Sequence, residues 1–124
     1  MDREGEADLA SAEGLLTLSV VHPENVGFFA QQAVEKWLKA LLAWHDVSFP
    51  RTHDLSVLRG LLFSVEADLA DQLAFAEHLT PLGTEFRYPG DYNPLDLEDA
   101  RQAVSVAQRV RALIAPALEQ HLRT

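Results

Sequence analysis

A chain of 124 residues, 48% hydrophobic and without cysteine, is long enough for one domain with its own core, and it excludes a disulfide framework, a thiolate nucleophile or a Cys-based metal site. Ten basic against 19 acidic residues leave a formal charge of −9, which opposes non-specific attraction to the phosphate backbones of nucleic acids. No apolar run is long enough to span a bilayer, and the acidic start MDREGEADLA lacks the basic and apolar regions of a signal peptide, so a soluble cytoplasmic protein without membrane contact is expected.

Helical periodicity dominates the pattern, and no segment reads as a strand. The first helix is expected from Glu6 to Val20, where Leu9, Ala12, Leu16 and Val20 recur at helical spacing; Gly14 within it costs about 1 kcal/mol relative to Ala. His22-Pro23 breaks the chain, because a residue before proline disfavours the helical region. A second helix then runs from Pro23 or Glu24 to about His45. Proline suits a first turn, and Glu24 suits the positive end of the helix dipole.

Phe29, Ala30, Ala33, Val34, Trp37, Leu38, Ala40, Leu41 and Trp44 cover about half the circumference of this second helix, as expected for a central helix with several neighbours. On the opposite side Gln32, Glu35, Lys36 and Lys39 line one ridge. Asp46 to Arg51 is a loop, stopped by Pro50. Thr52 or Asp54 caps a third helix over Leu55 to Phe63, with Leu55, Leu58, Leu61 and Leu62 inward. A fourth helix spans Glu66 to Leu79, with Leu69, Leu73, Ala76 and Leu79 or Thr80 inward and Pro81 and Gly83 interrupting its end.

After the Pro/Gly/Tyr-rich connection RYPGDYNP, a last helix starts near Leu95 or Asp96, with Asp96, Glu98 and Asp99 in its first turn. Leu97, Ala100, Val104, Ala107, Ile114 and Leu118 share its inner face, and Pro116 is expected to kink or end it. Four to five helices with short links and no repeat predict an all-α, antiparallel up-and-down bundle forming a single domain over 1–124.

Chemistry-bearing residues allow more than one reading. The Gln32-Glu35-Lys36-Lys39 ridge is a polar site for a phosphate or nucleotide, or a solvated face with Glu35 and Lys39 as an i,i+4 ion pair, or Gln32 and Lys36, together with Arg87, bond to the loop carrying His53 and Asp54. His53-Asp54 holds an imidazole for acid–base work or is a helix cap beside a surface histidine. Arg87-Tyr88 binds phosphate and stacks a base, or Arg87 pairs with Glu35 or Asp54 while Tyr88 and Pro89 stiffen the turn. His22, His45, His78 and His121 have no ligand spacing, so no metal is expected, and no glycine-rich phosphate loop or nucleophile elbow calls for a cofactor or for acyl transfer.

The stretch Gln31-Gln32-Ala33-Val34-Glu35-Lys36 with Leu38-Lys39-Ala40-Leu41-Leu42 resembles the signature helix of the HEPN family (higher eukaryote and prokaryote nucleotide-binding domain). Thr52-His53-Asp54-Leu55 is similar to that family's THDL turn, Arg87-Tyr88-Pro89 to its RYP, and Ala7-Asp8-Leu9-Ala10-Ser11-Ala12 to its first helix. The resemblance covers most of the chain. It implies an all-α bundle, a homodimer, and a minimal nucleotidyltransferase as partner. It also implies a candidate ligand-binding set of Gln32, Glu35, Lys36, Lys39, His53, Asp54, Arg87 and Tyr88, with a nucleotide as ligand.

Many members of that family are toxins of toxin–antitoxin pairs that cut RNA with an Arg followed, after four to six residues, by a His. There the His moves a proton from the ribose 2′-OH and the Arg stabilises phosphate charge. After Arg87 the positions for that His hold Tyr92, Asn93 and Pro94; Arg51 is two residues from His53 and Arg111 ten from His121. Tyrosine, with an unperturbed pKa of about 10, is a poor base at neutral pH. No catalytic residue is therefore assigned. The reading is a homodimeric binding and interaction module, with two alternatives: a ribonuclease with an atypical site built from Arg87, His53 and Tyr92, or a helical interaction module without ligand.

Overall fold

The computed structural model describes residues 3–83 and 95–122. Within them the chain forms α1 (Arg3–Leu16), α2 (Pro23–Trp44), α3 (Leu55–Phe63), α4 (Ala67–Gln72), a 3-10 stretch (Ala74–Gly83) and α5 (Leu97–Leu122), with no strand among the described residues. The expected all-α bundle is thus what the sequence builds. At its centre is α2, packed on α1, α3, the 3-10 stretch and α5. Its broad apolar face supplies Val26, Ala30, Ala33, Val34, Trp37, Leu38, Leu41 and Leu42 to the core.

The ends of α2 follow from local chemistry. Pro23 opens it in the first turn, where a missing N–H costs nothing, and Glu24 faces the positive helix end. At the other end Asp46 takes a left-handed conformation (φ 59°). Its N–H bonds the Ala43 carbonyl at 3.1 Å, and the Val47 N–H bonds the Leu42 carbonyl at 2.9 Å, closing a Schellman motif with Asp where Gly is usual. This turn sends residues 46–54 back along α2, from the level of His45 to that of Glu35, roughly 15 Å at 1.5 Å per helical residue. An extended loop therefore makes the return stroke between α2 and α3.

At its end Asp54 caps α3: its Oδ1 accepts the Ser56 N–H at 2.9 Å and the Ser56 hydroxyl at 2.7 Å. The next orphan donor, the Leu55 N–H, bonds Thr80 Oγ1 at 3.0 Å, fastening α3 to the 3-10 stretch. Leu55, Leu58 and Leu62 are buried, as the periodicity requires.

Four boundaries differ from expectation, the first being the start of α1 at Arg3 rather than Glu6. The first helix ends at Leu16 rather than Val20, because the Thr17 hydroxyl and N–H both turn back onto the Gly14 carbonyl; Val20 is left 67% exposed. The expected helix Glu66 to Leu79 divides at Leu73, and its second half is 3-10. Three residues per turn stack Leu73, Ala76 and Leu79 on one face, and all three are buried.

Finally, Pro116 does not end the last helix, which continues to Leu122. Pro116 and Ala112, four residues earlier, are both exposed, so water can serve the unpaired carbonyl, while Ile114 and Leu118 stay buried on either side. The start of α5 is a reciprocal capping box, Asp99 N–H to Asp96 Oδ1 at 2.8 Å and Asp96 N–H to Asp99 Oδ2 at 3.1 Å. Leu97, expected inward, is 39% exposed there.

Candidate functional site

The polar residues of α2 are not a solvated ridge. Glu35 is 3% exposed and Gln31, one turn earlier, is fully buried. The loop 46–54 covers them, and its His53 is the meeting point. His53 Nδ1 lies 2.8 Å from Glu35 Oε1. Gln31 Nε2 donates to the same Oε1 at 3.2 Å and to the His53 carbonyl at 3.1 Å. Lys39 Nζ donates to the other carboxylate oxygen, Oε2, at 3.0 Å. Gln32 Nε2 donates to Gln31 Oε1 at 2.8 Å, completing the amide's bonding.

A buried carboxylate is costly unless its oxygens are satisfied. Burial pushes the Glu35 carboxyl up, but the hydrogen bonds from His53, Lys39 and Gln31 together outweigh it, and the net displacement is downward. Glu35 is therefore held as the anion. The His53 side chain, by contrast, is 59% exposed: one ring edge meets the buried carboxylate and the rest faces out. Lys39 reaches Glu35 from a position 5.9 Å over the ring of Phe49.

Gly83 shapes the back of this cluster. A Cβ there would overlap both Cδ and Oε1 of Gln31, so only a glycine lets the 3-10 stretch end against that amide. Among the described residues no three His, Asp or Glu side chains converge in a way that would hold a metal. A cleft of about 350 Å³ lies elsewhere, between α1 and α5, where Gln108 pairs with Glu13 at 2.8 Å and Arg111 with Glu6 at 2.7 Å.

Of the candidate residues, Glu35, Lys39 and His53 come together, with Gln32 joined through Gln31. Glu35 and Lys39 do form the i,i+4 pair. Lys36 instead reaches across to Asp8 of α1, Nζ to Oδ2 at 2.5 Å. Asp54 turns to Ser56 as a cap, whose hydrogen bonds depress its carboxyl. Arg87, Tyr88, Pro89 and Tyr92 lie outside the described residues.

Two participants escaped the sequence reading. Gln31 falls on the helical arc between Leu38 and Leu42, a polar side chain inside the apolar stripe, and that position was the available signal of a buried amide. Asp8 had no comparable signal, because its partner lies on another helix.

A HEPN domain family model matches residues 3–118. Among solved structures, the crystal structure of an archaeal HEPN homologue superposes with a TM-score of 0.67 at 26% identity, over 93% of this chain and 92% of that one. A search of curated proteins finds no match.

Proposed function

Because this chain belongs to the HEPN domain family, we propose that it is a homodimeric binding and interaction module whose partner is a minimal nucleotidyltransferase and whose ligand is a nucleotide. One observation carries the reading. The family-like residues of α2 close on one another and on the 46–54 loop, building a rigid, charge-compensated platform rather than a set of unengaged reactive groups. Cleavage of RNA by the family's Arg–His chemistry asks for an arginine beside an imidazole. Among the described residues Arg59 bonds Glu77, Arg111 bonds Glu6 and Arg109 lies over Phe75, while Arg51 is exposed on the loop that carries His53. The charge of −9 also works against a polyanionic substrate.

The test is co-expression with the nucleotidyltransferase of a neighbouring reading frame, followed by affinity capture and size analysis. A stable complex containing two copies of this chain is the expected result. Capture without any nucleotidyltransferase, together with a monomeric mass, would remove the partner and dimer parts. Incubation with RNA should leave it intact; cleavage that disappears in His53→Ala would favour the ribonuclease instead.

A further inference from the structure

We propose that the outer face of α3 docks one amphipathic helix of another protein, which seats a bulky apolar side chain over Gly60 and carries basic residues beyond one end. The contact stands apart from the buried cluster on α2 and depends on neither a nucleotide nor a dimer. It begins in the sequence of the helix, LSVLRGLLF, where only Ser56 and Arg59 are polar. Leu55, Leu58 and Leu62 face the core. A helix with one face in the core ordinarily turns a charged or polar face to water. Phe63, Ser56, Gly60, Ser64 and Val57 instead share an arc of about 120° at 100° per residue; all five are exposed and none is charged.

Arg59, at the edge of that arc, is turned away to Glu77 and the Ala70 carbonyl. The two serines donate to the ends of their own helix, Ser56 to Asp54 Oδ1 and Ser64 to the Leu61 carbonyl, each at 2.7 Å. What remains outward is Phe63, 50% exposed, and Val57, 40% exposed, with Val65 exposed just beyond the helix. Gly60 lies one turn from both Val57 and Phe63. Among the described residues nothing lies within 4 Å of a Cβ built there, so no internal contact accounts for a glycine in mid-helix, where it is weaker than alanine. The result is two apolar knobs with a hole between them, the relief that receives a side chain from a crossing helix.

Area and charge choose the occupant. Half of a phenylalanine and about two fifths of each of two valines amount to roughly 200 Å² of apolar surface, against about 800 Å² per partner in a stable contact between folded domains. A nine-residue helix, roughly 13 Å long, matches one crossing helix rather than a second copy of the molecule, which would also bring a like charge of −9. From Gly60 to Phe86 the chain holds no Lys or Arg, while Glu66, Asp68 and Asp71 lie at and in α4, which packs on α3. Asp68 and Asp71 are exposed. A helix whose end passes over α4 meets carboxylates, and lysine or arginine complements them.

The probe is a helical peptide selected from a phage-displayed library against the full chain, then labelled and titrated by fluorescence anisotropy. Selected sequences should share a bulky apolar residue and a Lys/Arg tract at one end. Phe63→Glu should weaken binding about tenfold or more. Leu18→Glu should leave it unchanged: it charges another exposed apolar residue, before the start of α2, whereas α3 ends beside the far end of α2, where His45 Nε2 lies 2.7 Å from Glu66 Oε2. Gly60→Ala separates docking from folding. It should raise the melting temperature and still weaken binding about fivefold or more, because its methyl stands where the partner's side chain seats.

Failure to select any peptide, or a peptide bound equally by wild type, Phe63→Glu and Gly60→Ala, would overturn the proposal. So would sedimentation showing a wild-type oligomer that Phe63→Glu disperses, which would make a second copy the occupant of this face.

Discussion

Replacing Glu35 by Gln keeps the shape of the side chain and removes its charge. One oxygen remains to accept from Gln31 or His53, but the new amide nitrogen faces the Lys39 ammonium, so a donor meets a donor where a 3.0 Å ion pair stood. The charge-assisted bonds from Lys39 and His53 are each of the class worth about 1.5–3 kcal/mol. Against their loss stands the relief of burying a carboxylate, and both partners are exposed enough to recover water. We expect Glu35→Gln to lower stability by about 2 kcal/mol at pH 7.5, which at a urea slope of about 2 kcal/mol/M moves the midpoint by about 1 M.

The pH dependence separates this cause from a packing defect. The Glu35 carboxyl is lowered in the folded protein from its ordinary value of 4.5. Its contribution is therefore fully present above that value and is lost as pH falls through the folded value. Urea titrations followed by helical circular dichroism, at fixed protein concentration, should show the gap between wild type and variant hold at mildly acidic pH and shrink below about pH 4.5. A variant within 0.5 kcal/mol of wild type at pH 7.5, by the roughly ±0.5 kcal/mol scale of neutral surface changes, would refute the reasoning. So would a gap that persists unchanged well below the ordinary carboxyl range.

Further outcomes follow from other sites. Gly83→Ala should cost about 2 kcal/mol, because its methyl displaces the fully buried Gln31 amide from Glu35 and His53. Adding Gln31→Ala to it should cost less than the two single changes combined, and strict additivity in denaturant melts would count against the contact. Gly5→Ala should destabilise by about 1–3 kcal/mol, since its Cβ would collide with the Trp37 ring, whose Nε1 is the nearest atom. Gly14→Ala, in the same helix with nothing within 4 Å, should stabilise by up to about 1 kcal/mol; thermal melts of the pair that move together would refute the assignment. Asp46→Gly should raise stability by up to about 1 kcal/mol by relieving the left-handed backbone, and a lower melting temperature would mean that the Asp side chain does something more.

Much of the frame was legible in the sequence, for reasons that are local. Pro23 at a helix start and Asp54 before an apolar run act within one turn, so α2 was anticipated to within a residue of its end and α3 at both ends. Leu69, Leu73, Ala76 and Leu79 announced an inward face, although their spacing of four and then three held the change to 3-10 geometry that the reading passed over. The site was less legible. Periodicity gives the angle of Glu35 around α2 and cannot say that a loop eleven or more residues downstream will lie over it. Lys36 and Lys39 look alike on the wheel, yet one faces α1 and the other the 46–54 loop. Pro116 was judged by the cost of a missing bond alone, and the exposure that makes the cost bearable is a property of the packed bundle.

Gln31 has a consequence for how the chain chooses its fold. An apolar seam between α2 and a nine-residue loop would accept several alignments of nearly equal energy, because greasy surfaces slide. An amide whose donor must find both Glu35 and the His53 carbonyl, and whose acceptor must find Gln32, accepts one. A loop shifted by a single residue would strand a carboxylate and an amide in a dry interior, so the penalty falls on the misaligned competitors and the native arrangement is separated from them by a gap. On this account Gln31→Leu leaves the protein helical and collapsed while blurring the position of the 46–54 loop, a loss of uniqueness visible as several slowly exchanging His53 ring signals in place of one.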